Sequence, residues 1–328
     1  MKQTMQPRRE QGGFTLIELM ISLVLFAFAV AGVMSVAVAT TRAFREQRAA
    51  IATENAARAP LDFLVDALRG ASPGAPSGII GDADQCTTGA AIRITDSTTA
   101  PDSLDVVYAA GGIVTTTQTA FSKTSTSITI PGAALANFAP GDYALITDTS
   151  MGTIVKVTGV TGTALQVAPS TGCAVANVYP SSGTYAIGSI LVRAQQAHFS
   201  IADLDGIPTL WMDPDGTTGP LNAEPVAEGV EDMQLAIGKD TDASGTLTDN
   251  DTTADEWTGN AVGDVLPGTG SIRGVKIVLV ARETKALTGV ASFYRPAALD
   301  RAGSLSADNY RRRVLKSVVE IRNLTGSP

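Results

Sequence analysis

The apolar positions of this chain follow one rule before residue 70 and another after it. Residues 14–39 read FTLIELMISLVLFAFAVAGVMSVAVA, a run of 26 residues interrupted by one charge, Glu18. A helix rising about 1.5 Å per residue crosses the ~30 Å hydrocarbon core of a bilayer over such a run. From residue 40 to 69 the pattern turns amphipathic. Leu61, Leu64, Val65 and Leu68 fall at i, i+3, i+4 and i+7, a single stripe, and Glu54 and Arg58 are spaced to pair one turn apart. These positions predict one long helix whose second half leaves the membrane and lays its stripe on a folded head. Pro60 is read as a kink or as the start of the final two turns, and Gly70-Ala71-Ser72-Pro73-Gly74 as the stop.

Beyond residue 70 the period shortens to that of strands. Runs such as 91–95, 104–109, 127–130, 143–147, 153–160, 164–167, 190–201, 209–212, 230–237, 272–282 and 314–323 are rich in Val, Ile, Thr and Tyr and bounded by Gly, Pro, Asn and Asp. The expected fold class is α+β: a long N-terminal helix packed on an antiparallel β head spanning 70–328. Residues 111–180 are read as a β insertion in that head, from Gly111-Gly112 to the Pro180–Gly183 turn.

Composition narrows the function classes. Of 328 residues, 44% are apolar and 17% charged, enough for a sizeable core. From residue 70 onward 16 basic residues face 26 acidic ones, which makes the head a poor general binder of nucleic acid. The two cysteines, Cys86 and Cys173, form one disulfide if the head is secreted, or remain two buried thiols otherwise. His198, the single histidine, beside Phe199, reads as a half-buried structural residue. With no HExxH, no P-loop and no second histidine, a tethered enzyme or ligand-binding ectodomain is the weakest class, and neither enzymatic activity nor a required cofactor is expected.

An ordinary secretory signal has an apolar run of about 7–15 residues, shorter than this one, and a carboxylate inside it is costly. The residues around that carboxylate, Gly12-Gly13-Phe14-Thr15-Leu16-Ile17-Glu18-Leu19-Met20, resemble the class III leader junction of type IV pilins and type II secretion pseudopilins. The resemblance implies that residues 1–13 are a leader, cut by a prepilin peptidase between Gly13 and Phe14, and that Phe14 is then N-methylated. It also implies that Glu18 neutralises the terminal ammonium of a neighbouring subunit. Residues 14–39 would be the transmembrane half of the helix and 40–69 its amphipathic half.

Three stretches of the head, Pro225–Lys239, Ile272–Glu283 and Tyr310–Leu324, resemble strands of PilW-type minor pilins, and Gly141–Val167 is similar to an internal stretch of longer members. This implies a minor pilin that enters or primes a type IV pilus near its tip. Implied partners are the major pilin, minor pilins of the PilV, PilX and FimU types, a PilY-type tip adhesin and the inner-membrane assembly platform. The head would be periplasmic before assembly and on the cell surface afterwards. The alternative is a J-type pseudopilin of type II secretion, which shares part of the pattern. The Arg311–Arg313 run is read as a solvated edge strand.

One acidic loop carries separate chemistry. Asp240, Asp242, Ser244, Thr246, Thr248 and Asp251 occupy positions 1, 3, 5, 7, 9 and 12 of a calcium-type loop, with Gly245 at the sharp turn. Aspartate at position 12 and a strand before the loop depart from that pattern, and the competing reading is a solvated acidic turn.

Overall fold

The structure is a computed structural model; it describes residues 15–214, 222–242, 244, 246–248, 256–264, 272–287 and 292–324. Two compact units are distinguished, 1–51 and 52–328. The described residues of the first belong, after Thr15, to helix α1, Leu16–Arg69, which continues through Pro60 without interruption.

The second unit is built on strands. In chain order they are β1 (Ile79–Asp82), β2 (Thr87–Ala90), β3 (Ile92–Thr95), β4 (Ser103–Thr116), β5 (Phe121–Ser122), β6 (Ser127–Thr129), β7 (Tyr143–Thr147), β8 (Gly152–Thr161), β9 (Ala164–Val167) and β10 (Thr184–Tyr185). There follow β11 (Ile190–Leu204), β12 (Ile207–Asp213), β13 (Glu224–Glu228), β14 (Val230–Gly238), β15 (Trp257–Thr258), β16 (Gly274–Arg282), β17 (Phe293–Tyr294), β18 (Ala307–Asp308) and β19 (Arg312–Glu320). Two single-turn helices, α2 (Gly132–Leu135) and α3 (Val175–Val178), interrupt them.

An eleven-stranded sheet runs β13-β12-β11-β7-β8-β1-β2, with β4 joining β11 to β3 and β9 joining β8 to β6. The smaller sheet has the order β15-β14-β16-β19. Pairing is antiparallel except between β1 and β8, which run parallel.

The main core explains the stripe on α1. Leu64 and Leu68 are fully buried and Leu61 and Val65 nearly so. They pack with Ile92, Leu104, Val106 and Phe199 of the large sheet and with Met233, Leu235, Ile277 and Leu279 of the small one. Each such side chain removed from water contributes about 1.5–3 kcal/mol. Phe63, beside the stripe, meets the Phe199 ring edge-on with centroids 5.7 Å apart.

A second core gathers Phe121, Ile128, Ile130, Leu135, Phe138, Leu165, Tyr179 and Tyr185. Most of it comes from residues 111–180, but Ala83, Tyr185 and Leu191 from outside that stretch complete it. Its strands β7 and β8 also hydrogen-bond into the main sheet, so the insertion is continuous with the head rather than a separate sheet. Cys86 and Cys173 are joined by a disulfide at the margin of this core, their Cα atoms 4.9 Å apart. Gly81 allows α3 to lie against β1: a Cβ there would come within 2.5 Å of the Val178 carbonyl oxygen.

Two buried carboxylates tie loops to β14. Asp102 accepts backbone N–H bonds from Ser97 (2.8 Å) and Leu235 (2.7 Å), fastening the β3–β4 loop. Asp232, fully buried, pairs with Arg295 at 2.9 Å and Arg301 at 2.7 Å and so fixes the segment between β17 and β18.

Candidate functional site

The start of α1 is organised by its own side chains. Thr15 precedes the first helical residue, and the Glu18 Oε2 accepts both the Thr15 backbone N–H (3.1 Å) and the Thr15 hydroxyl (3.0 Å). The Glu18 N–H points back to Thr15 Oγ1 at 3.4 Å. This is a reciprocal capping box, which satisfies helix-end N–H groups that lipid could not. Thr-x-x-Glu at residues 15–18 is the sequence signature of this cap. Both Thr15 contacts use Oε2; Oε1 is not used by Thr15. Gly13 and Phe14 lie outside the described residues.

Downstream, Leu16–Phe44 is a 29-residue helical span of mean hydropathy 2.5, none of it buried against the rest of the chain. Three of its hydroxyl groups are satisfied within the helix: Ser35 donates to the Gly32 carbonyl, Thr40 to Val36 and Thr41 to Ala37, each at 2.8 Å. A segment whose hydroxyls at Ser35, Thr40 and Thr41 turn back to its own carbonyls and whose apolar side chains are exposed is suited to lipid or to the helices of neighbours, not to an aqueous surface.

The acidic loop brings together a different set of oxygens from the sequence expectation. Ligand atoms of Asp240, Asp242 and Glu256 lie within 4.8 Å of one another. Ser244 stays beside them, donating its N–H to Asp240 Oδ1 (3.1 Å) and Asp242 Oδ1 (2.9 Å) and its hydroxyl to the Thr246 carbonyl (3.1 Å). Thr248 donates its N–H to Glu256 Oε2 at 2.9 Å. Glu256 Oε1 accepts from the Thr241 N–H at 2.6 Å, and Arg273 pairs with Asp240 Oδ2 at 2.7 Å. The N–H groups of Thr248 and Thr241 hold the Glu256 carboxyl below its ordinary range, and that of Ser244 does the same for Asp242. Three carboxylates fit a hard cation such as calcium, but these internal donors and Arg273 compete for the same oxygens. Asp251 lies outside the described residues. Glu256, sixteen positions after Asp240, was not legible as a member because only the β14–β15 pairing returns the chain to the loop.

Comparison with known proteins gives two family matches. Residues 198–323 match the model of the type IV pilus-assembly protein W family, and residues 8–34 match the prokaryotic N-terminal methylation motif. Over those stretches the chain is similar to the PilW family and to the N-terminal methylation motif of type IV pilins. No curated protein matches it. Among solved structures, a type IV-like pilin from Thermus thermophilus is similar at 11% identity and a TM-score of 0.38, over 83% of this chain and 96% of that one. The methylation motif spans Gly13, Phe14 and Glu18, and with the exposed apolar helix it fits a single-pass, membrane-anchored pilin.

Other chemistry-bearing residues of this protein have structural employment. His198 Nδ1 lies 2.7 Å from Asp105 Oδ1, and Arg93 pairs with the same carboxylate at 2.8 Å, a ladder across β11, β4 and β3. His198 and Arg93 together hold the Asp105 carboxyl down against the burial that would raise it. Gly70-Ala71-Ser72-Pro73-Gly74 also carries the letters G-x-S-x-G of a nucleophile turn. Ser72 is fully buried, and its hydroxyl donates to the Ala75 carbonyl at 2.5 Å, so it is a helix-stop residue and not an exposed nucleophile. The Arg311–Arg313 run is solvated only in part. The Arg312 side chain is 5% exposed and grips Glu231 (2.5 and 2.9 Å) and Asp308 (2.7 and 2.5 Å). Alternation along the strand explains this: Arg312 turns to the face carrying Glu231, while Arg313 points to the other.

Proposed function

We propose that this protein is a minor pilin that incorporates into a type IV pilus, or primes its assembly, as part of a tip complex of minor pilins. The observation that carries the reading is the coincidence, in one chain, of an apolar helix opening on Glu18 with a head matching the PilW family over 198–323. In this reading the leader ends at Gly13, and the new ammonium of Phe14 is methylated but keeps its charge. That ammonium finds a partner in Glu18 of the next subunit. A carboxylate and an ammonium are each costly in lipid; paired as helices pack, they recover much of that cost and set the register between subunits. The PilW match favours the pilus over the secretion alternative. The expected partners are the major pilin, PilV-, PilX- and FimU-type minor pilins and a PilY-type adhesin.

Purified pili and membrane fractions from the same cells test this directly. Mass spectrometry should give a mature N-terminus at methylated Phe14, and the chain should co-purify with sheared pili in low copy number. An N-terminus near Ala31 or Thr40, or a chain found with a secretion complex and never with pili, would overturn it.

A further inference from the structure

The smaller sheet ends in a strand whose outer edge is open. β19 pairs only with β16 among the described residues. The register says which of its groups are free. Ile321 donates its N–H to Arg273, and the Arg311 carbonyl accepts from Glu283, so the odd-numbered residues face β16. By the alternation of an antiparallel ladder, the N–H and C=O groups of Arg312, Val314, Lys316, Val318 and Glu320 point away from the sheet. Nine residues are long enough to template another strand.

The side chains beside this edge have a composition of their own. Val318 is 61% exposed and Val314 37%, with Lys316 exposed between them and Glu320 at the far end. At the near end a cleft of about 440 Å³ is lined by Phe293, Tyr294, Pro296 and residues 311–314, with Tyr294 61% exposed. Edge strands are ordinarily guarded by charge, proline or a bulge. Here one lysine stands between two bare valines, next to an aromatic-walled cleft, on a head that is otherwise acidic.

We propose that β19 is a docking edge for an extended strand of another protein, one whose side chains along a single face, two residues apart, run apolar, acidic, apolar. Strand addition would satisfy the outward N–H and C=O groups of β19. Cross-strand pairing then selects the incoming side chains: apolar opposite Val314 and Val318, acidic opposite Lys316, not acidic opposite Glu320. A bulky apolar residue at one end would enter the Tyr294 cleft. The surface is separate from the helix contact through Glu18, so it would select a particular neighbour by its head while the helices supply the common packing. Only the origin of the incoming strand, a companion subunit, rests on the pilin reading; the binding itself does not.

The test uses the full mature chain in detergent micelles and two capped threonine octapeptides with valine at the second and sixth positions and, at the fourth, glutamate in one and lysine in the other. Hydrogen exchange should slow in residues 312–320 with the acidic peptide, and that peptide should bind at least tenfold tighter than the basic one. Val318→Pro removes one outward donor while leaving the bonds to β16 intact, and should lose at least tenfold in affinity. Lys316→Glu, an exposed change, should reverse the preference between peptides whether or not the proline variant folds. No protection of 312–320, or unchanged binding by Val318→Pro with an unchanged melting profile, overturns strand addition. Equal binding of both peptides overturns the charge assignment. Protection that grows with protein concentration and needs no peptide assigns the edge to a second copy instead.

Discussion

At the scale of single residues, Glu18 has two roles that mutation separates. Through Oε2 it caps its own helix with Thr15; through its charge it is proposed to meet a neighbour's ammonium. Thr15→Ala removes one half of the capping box at a cost of about 1 kcal/mol to the first turn, but leaves the carboxylate. Glu18→Gln keeps a hydrogen-bonding oxygen and removes the charge. We expect Thr15→Ala to enter pili nearly as well as wild type, and Glu18→Gln to be inserted and cleaved normally but depleted from pili severalfold, measured by quantitative blotting of sheared filaments. Equal depletion of both variants would mean that capping, not charge, is what assembly needs. Arg312 is the other residue with a large individual effect. Its planar fork meets two carboxylates at once, a geometry lysine does not reproduce. Arg312→Ala should destabilise the head by about 2–3 kcal/mol, because Glu231 and Asp308 lose their partner. Arg312→Lys should recover only part of that in urea unfolding.

Among elements, the second core and the acidic loop are the parts with covalent or ionic reinforcement. The Cys86–Cys173 bond closes a separation of 87 residues around the second core. Closing a loop of that length contributes about 4–5 kcal/mol by chain-entropy arguments. Cys86→Ser with Cys173→Ser should therefore lower the denaturation midpoint markedly, and thiol labelling of the unreduced, denatured wild type should find no reactive cysteine. The loop at Asp240 has the letters of a calcium site, and its carboxylates already accept hydrogen bonds from the chain. Calcium has to displace Arg273 and several N–H donors, so we expect weak binding, on the order of 10⁻⁴–10⁻³ M as in extracellular modules. Titration calorimetry should show that binding disappear in Asp242→Asn; no heat above background with wild type would leave the loop a hydrogen-bonded acidic turn.

For the whole molecule, stability depends on carboxylates buried where the loops join the two sheets. Burial pushes the Asp102 carboxyl up to about 8, although the Leu235 and Ser97 N–H groups oppose it. A carboxyl raised on folding binds its proton more tightly in the folded state, so its stabilising contribution is complete below about pH 4 and is lost as pH rises toward 8. Asp102→Asn should flatten the fall in melting temperature between pH 5 and pH 8; parallel curves for the two proteins would show that Asp102 ionises freely in the fold. The sequence by itself determined the long helix, its apolar stripe and most of the long strands. Those features are periodic, and a face of period 3.6 or 2 is written in consecutive residues. It gave no sign of β1 and β2, whose short Gly- and Thr-rich runs lack such a period, or of the parallel β1–β8 pair. Nor did it show that Arg312 turns inward on an edge strand it did mark, or that Glu256 closes on Asp240. Each of these depends on which strand lies beside which, and strand neighbours distant in sequence are chosen by the packing of the whole head, through contacts that no local pattern records.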